Sequence, residues 1–205
     1  MDEKKLQLIQ RAGAVFMKYG IKSVTMDDLA RELGISKKTF YIHFKDKNDL
    51  ILTSIKLKIA SEKQICQDCA TAGANAIETL ISISDFIIEQ LSNVNPTLFY
   101  DLQKYHPEAW QVMQDHKWKF VYDNIHTNIL QGIKEDLYRS NLDPKIIARY
   151  YVASIDNMMS PEIFPWPEFK TDSIVKQILR FQIRGLANEE GIKYIKENFN
   201  TKINE

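Results

Sequence analysis

TMDDLARELGISKKTFYIHFKDK, residues 25–47, carries apolar residues where two short helices joined by a tight turn need them. Leu29, Leu33, Ile35, Phe40 and Phe44 form the side to be buried, Ala30 leaves room where the helices cross, and Gly34 supplies a turn that a side chain would obstruct. Thr25 and Asp28 have the spacing of a capping box, and Ser36 can cap the second helix. If that helix spans about residues 37–43, helical periodicity turns Phe40 and Phe44 inward and Lys37, Lys38, Tyr41 and Ile42 outward. Cations and an aromatic ring suit the major groove, where lysines reach phosphates or guanine acceptors and a tyrosine bonds a phosphate or packs on a thymine methyl. The plainer alternative, a helical hairpin with a solvated basic face, requires cap, glycine, alanine and core positions to coincide by chance. The stretch therefore predicts a helix-turn-helix that reads DNA.

Working outward, an amphipathic helix with Ile9, Ala12 and Phe16 precedes this unit and closes on Phe16-x-x-x-Gly20. With Thr25, Leu29-Ala30, Gly34-Ile35, Thr39-Phe40-Tyr41, His43-Phe44 and Lys47, these features make residues 5–52 resemble the DNA-binding domain of TetR-family transcriptional regulators. The resemblance implies that Thr25 and Lys47 hold phosphates at the starts of the second and fourth helices. It also implies that Lys37, Lys38 and Thr39 address the groove and that Tyr41 and His43 touch backbone or bases. With the capping Ser36 and the outward Ile42, the candidate contact set is Thr25, Ser36, Lys37, Lys38, Thr39, Tyr41, Ile42, His43 and Lys47. Ile42 departs from the family, since many relatives carry a second aromatic there. The likeness fades beyond Leu52.

A chain of 205 residues with 44% hydrophobic content can bury a substantial core. Net charge is zero, but residues 1–47 hold 10 Lys and Arg against 6 Asp and Glu, net +4, whereas the remainder holds 17 against 21, net −4. A basic head on an acidic body suits targeted, salt-dependent DNA contact and fits neither a generic nucleic-acid coat nor a membrane-surface protein. The expected division is a helix-turn-helix DNA-binding domain over 1–47 and a helical ligand-binding and dimerisation domain over 48–205. MDEKKLQLIQ lacks the apolar core of a signal peptide, and no segment approaches a membrane span, so the expected location is the cytoplasm.

Helix signals continue beyond the head almost without a strand candidate, giving an all-α expectation of about nine to ten helices. A long fourth helix is expected over residues 47–70, a fifth over 75–91, and a short sixth through 100–105 after an Asn95-Pro96-Thr97 break. A seventh runs over 107–134. Asp143-Pro144 starts an eighth helix to about Met159, SPEIFPWPEF reads as a loop, Asp172 is placed to cap a ninth, and a tenth covers 189–198.

One short helix reads too few bases, and half-sites on one face of B-DNA recur about every helical turn, so a dimer is expected. The resemblance places its interface on the eighth and ninth helices, at Ile147, Tyr151, Ser154, Met158, Ile174, Ile178 and Phe181; the alternative is that these stripes face their own core. Aromatic and methionine side chains midway along the chain, namely Phe86, Tyr100, Trp110, Met113, Trp118 and Tyr122, are candidates to line an apolar effector pocket, against the alternative of packing alone.

Cys66 and Cys69 share one side of a helix and leave open a thiol- or metal-responsive regulator, although helical geometry disfavours a disulfide and a zinc site lacks further ligands. No phosphate-cradling loop, HExxH or nucleophile elbow is present, so no catalytic residue, metal or cofactor is expected; a small helical enzyme or an adaptor is the rival of a different class. The expectation is a homodimeric regulator, a repressor released from double-stranded operator DNA by a small, largely apolar effector.

Overall fold

The computed structural model describes residues 2–73, 75–91, 94–95, 97–165 and 168–199. The protein is all-α, with ten helices among the described residues. These are α1 (Glu3–Tyr19), α2 (Met26–Leu33), α3 (Lys37–His43), α4 (Lys47–Ala72), α5 (Ala76–Leu91), α6 (Leu98–Tyr105), α7 (107–134), α8 (Pro144–Met158), α9 (Thr171–Leu186) and α10 (Glu189–Asn198). Helix α7 is continuous but changes pitch in its middle, passing from Pro107–His116 through a π turn at Lys117–Val121 into Tyr122–Lys134. Pro96, Trp166 and Pro167, parts of the expected break and loop, lie outside the described residues.

Two compact units form, one from residues 1–62 with 93–116 and the other from 63–92 with 117–205. The first is built on the helix pair seen in the sequence. Thr25 accepts from the Asp28 N–H at 3.1 Å while the Asp28 carboxylate accepts from the Thr25 N–H at 3.0 Å, a reciprocal cap that starts α2. Gly34 ends α2 at φ +67°, ψ +33°, and Ser36 caps α3 by accepting from the Thr39 N–H at 3.1 Å. The left-handed turn aims α3 across α2, so Leu29, Ala30, Leu33, Phe40 and Phe44 close with Leu8, Ile9, Ala12 and Phe16 of α1 into one apolar core. Leu50 and Ile51 of α4, Leu102 of α6 and Ala109 of α7 extend the same core, with Trp110 and Met113 packed against it.

In the second unit α5 packs on α9 and on the Tyr122–Lys134 part of α7, which in turn packs on α8. Its interior holds Ile77, Leu80, Ile129, Val152, Val175 and Tyr138. The Tyr138 hydroxyl donates to Asn128 Oδ1 at 3.1 Å, and Asn128 Nδ2 donates to the Ala76 carbonyl at 2.9 Å, so the buried polar groups satisfy one another. A Cβ at Gly132 would overlap the Tyr138 ring, which explains the glycine in mid-helix.

Some local expectations shift. Asp172 does not cap α9: Lys170 occupies the cap position and Asp172 lies in the first turn, where its charge still faces unpaired N–H groups. The sixth helix starts at Leu98, and the Thr97 hydroxyl donates to Asn95 Oδ1 instead of capping it. Because L residues other than glycine resist the left-handed backbone at position 34, Gly34→Val should lower head stability by about 1–2 kcal/mol, the scale of such strain. Urea unfolding of the variant checks this, and an unchanged midpoint would mean that the turn relaxes freely.

Candidate nucleic-acid interface

Helix α3 presents the outward face that its periodicity requires. Tyr41 is 52% and Ile42 70% exposed, while Phe40 at the same turn is fully buried. Lys37 and Lys38 project beside them into solvent. Lys37 Nζ lies 2.5 Å from an Asp27 carboxylate oxygen on α2, both side chains more than half exposed. Such an exposed pair is weak, and it keeps the ammonium near the α2 end of the exposed α3 surface. Thr39 is half-buried, sharing a 2.8 Å hydrogen bond between its hydroxyl and that of Ser36, so both oxygens sit at the start of α3 beside its unpaired amides. His43 is half-buried, with Nδ1 at 3.8 Å from Asp2 Oδ2. Thr25 is exposed at the start of α2, its hydroxyl donating to Asp28 at 2.6 Å.

Lys47 alone in this set turns its charged end toward the chain's own backbone. Its ammonium, expected on a phosphate, turns inward to donate to the Ile21 carbonyl at 2.5 Å and lies 5.8 Å from the centre of the Phe16 ring. Burial pushes its pKa down, against the attraction of Asp101 and Asp28. The cause is spatial: Phe16 lies in the last turn of α1 and Ile21 in the corner just beyond it, and the sequence around Lys47 carries no sign of them.

The other predicted sets divide. Of the pocket candidates, Trp110 and Met113 pack on the first unit's core and Tyr100 is 47% exposed, with its hydroxyl 2.8 Å from Lys104 Nζ. Phe86 and Tyr122 are half-buried in the second unit, and Trp118 is 41% exposed. An open groove of about 480 Å³ lies instead along Arg139, Ala187, Asn188, Glu189 and Ile192, and none of the six lines it.

On α8 and α9, Tyr151, Met158 and Ile174 are buried within the chain, and the outward apolar residues are Ile146, Tyr150 and Phe181. Ile147, Ser154 and Ile178 are half-buried, Ser154 accepting from Gln182 Nε2 at 2.8 Å. No disulfide joins Cys66 and Cys69, and burial, then Asp68, pushes the Cys69 thiol pKa up, which lowers its reactivity. No group of metal-ligating side chains occurs among the described residues. Nor is any helix among them long and apolar enough to cross a membrane.

Sequence reasoning missed Lys117. The π turn carries its side chain inside, 8% exposed, where it pairs with Asp156 of α8. An ordinary helical period through residues 107–134 gives no signal for that change of direction.

A capped α2, a left-handed glycine and an exposed basic-aromatic α3 define a helix-turn-helix DNA-binding domain within an otherwise helical chain. Residues 8–53 match the family described as bacterial regulatory proteins, tetR family. Over 172 residues the chain is 27% identical to an uncharacterized HTH-type transcriptional regulator, YvaF of Bacillus subtilis, an alignment covering 82% of this chain and 88% of that one. It superposes on the regulatory protein TetR of Rhodobacter sphaeroides with a TM-score of 0.72 at 13% identity, covering 89% of this chain and 98% of the other. A transcriptional regulator of Saccharomonospora viridis, solved with choline, gives 0.71 at 20% identity over 92% and 100%. Residues 8–53 thus carry a DNA-binding segment of the tetR-family type, and over most of its length the chain is similar to an HTH-type transcriptional regulator.

Asp27→Asn frees Lys37 from its only ion-pair partner among the described residues. Duplex binding should then strengthen, by at most about fivefold given the modest worth of exposed pairs. Fluorescence anisotropy with a labelled duplex measures the change; weaker binding would show that the pair holds Lys37 in its contacting position.

Proposed function

We propose that the chain is a homodimeric repressor whose paired α3 helices enter successive major grooves of an operator and whose affinity for DNA is set by a small effector. The exposed face of Lys37, Lys38, Tyr41 and Ile42 on a helix whose opposite side is sealed by Phe40 carries this reading, because it has no other packing role. In it the lysines address phosphates or guanines, Tyr41 and Ile42 meet the backbone or thymine methyls, and Thr25, Ser36, Thr39 and His43 bond phosphates around them. Lys47 contributes by bracing the corner after α1. The functional division runs from a DNA-binding segment, 1–47, to a sensing and pairing segment, 48–205, and the protein acts in the cytoplasm, where the DNA is.

For pairing, Ile146, Tyr150 and Ala153 form a stripe at helical spacing on α8, and Phe181 stands 72% exposed on α9. Apolar side chains this large favour cover by a second copy. They supersede the buried Tyr151, Met158 and Ile174, while Ile147, Ser154 and Ile178 stand at the margin. For sensing, Phe86 and Tyr122 stay as pocket candidates, joined by the polar pair Lys117–Asp156. The choline bound to the Saccharomonospora relative is not carried over, since likeness at 20% identity extends to the fold alone.

Selection from a random duplex pool, followed by binding at several salt concentrations, tests the DNA reading. Lys37→Ala with Lys38→Ala should weaken binding and reduce the salt slope by about two ion equivalents while leaving helical content intact. An unchanged slope would remove both lysines from the interface, and failure of the wild-type chain to select any sequence would contradict the reading itself. Tyr150→Asp with Phe181→Asp should convert a dimer into a 23.9 kDa monomer in sedimentation. A variant that stays dimeric would place the interface elsewhere.

A further inference from the structure

Helix α6 is fastened along its length to the end of α1 and the start of α4, all within the first compact unit. Just before it, the Asn95 N–H donates to the Met17 carbonyl at 2.7 Å, and Asn95 Nδ2 donates to the Lys18 carbonyl at 3.3 Å. Those carbonyls belong to the last turn of α1, where no intrahelical donor awaits them. The Asn95 side-chain oxygen accepts from the N–H and hydroxyl of Thr97, which fixes its amide in that orientation.

One turn on, the Asp101 carboxylate is 5% exposed and accepts from the N–H groups of Ile21 and Lys22, at 3.0 and 2.8 Å. Gly20, at φ +80°, permits this approach: a Cβ there would stand 2.8 Å from Thr97 Oγ1 and 3.3 Å from Asp101 Oδ2. On the other side of the same corner, Lys47 donates to the Ile21 carbonyl, so the Ile21 peptide groups are held from α6 and from α4 at once. At the far end of α6, His106 Nδ1 and Asn48 Oδ1 lie 2.6 Å apart, joining the residue that ends the helix to the first turn of α4.

The corner so held, Gly20–Lys22, leads directly to Thr25, the cap and the phosphate-facing start of α2. A buried carboxylate on two backbone amides is a strong, directional restraint, and removing it leaves both donors unsatisfied. The apolar core alone supplies no comparable direction, because packing tolerates small rotations that a hydrogen-bond fork does not.

We propose that Asp101 is a positioning residue of the DNA-reading head: by gripping the Ile21 and Lys22 amides it sets the pose of α2, and with it α3, and so sharpens discrimination between duplex sequences. This rests on the DNA reading above and adds to it the residue that holds the corner leading into α2.

Amide hydrogen exchange and duplex binding, measured together on the full-length chain, test it. Asp101→Leu should speed exchange at Ile21 and Lys22 at least tenfold, leave Leu29 and Phe40 protected, and weaken binding to a selected duplex by about tenfold or more while much of the non-specific affinity survives. Loss of discrimination without loss of the head's core is the mark of positioning; a purely structural role would release Leu29 and Phe40 in step with the corner. Asp101→Asn keeps an acceptor oxygen and deletes the charge, and should fall between wild type and Asp101→Leu. Wild-type discrimination in Asp101→Leu despite a loosened corner would overturn the proposal, and if that variant unfolds, wild-type discrimination in Asp101→Asn would do so. The comparison uses a duplex that the wild-type chain selects, so a failure of the DNA reading shows in wild type and a failure of this inference only in the variants.

Discussion

The left-handed backbone at Gly34 is the constraint on which the head depends. At φ +67° it opens the three-residue turn, Gly34–Ser36, between α2 and α3, so that Leu29 and Leu33 on one helix meet Phe40 and Phe44 on or just beyond the other. Once Phe40 is sealed inside, helical geometry leaves Tyr41 and Ile42 no inward direction, and Lys37 and Lys38 extend their side of the surface. The recognition face is thus a consequence of how the core closes. Its stiffness comes from the caps, since the Thr25–Asp28 box and Ser36 fix where each short helix begins, and helices of eight and seven residues have little intrinsic stability of their own.

The head is not closed by its own three helices. Leu102 and Ala109 complete its core, and Asp101 reaches back about eighty residues to hold the corner after α1. Hydrophobic burial supplies most of the cohesion, while the hydrogen bonds at Asn95, Asp101 and Lys47 supply the direction. Such a division of labour suits a regulator, because a packed core can remain intact while a few directional contacts choose among closely spaced poses of the reading surface.

Local features were legible in the sequence and distant ones were not. The caps at Thr25, Ser36 and Asp143, the Gly34 turn and the inward Phe40 follow from spacing within a few residues, and the structure repeats them. The direction of Lys47 depends on Ile21 and Phe16, and the role of Asp101 on Gly20 to Lys22, so neither has a local signature. On α8, Tyr150 and Tyr151 are neighbours of the same kind, yet one is 65% exposed and the other 6%. A helix with apolar residues on two faces does not reveal by periodicity which one its own chain covers. The turn of π pitch at Lys117 escaped for a related reason: an added residue in a helix changes which side chains point inward without changing composition.

Hydroxyl-radical footprinting of a selected duplex tests the central claim most directly. A pair of α3 helices reading successive grooves predicts protected backbone patches separated by about one helical turn, or a multiple of it, on one face of the duplex. Protection spread evenly along the DNA, or absent at concentrations where the chain binds, would contradict the account.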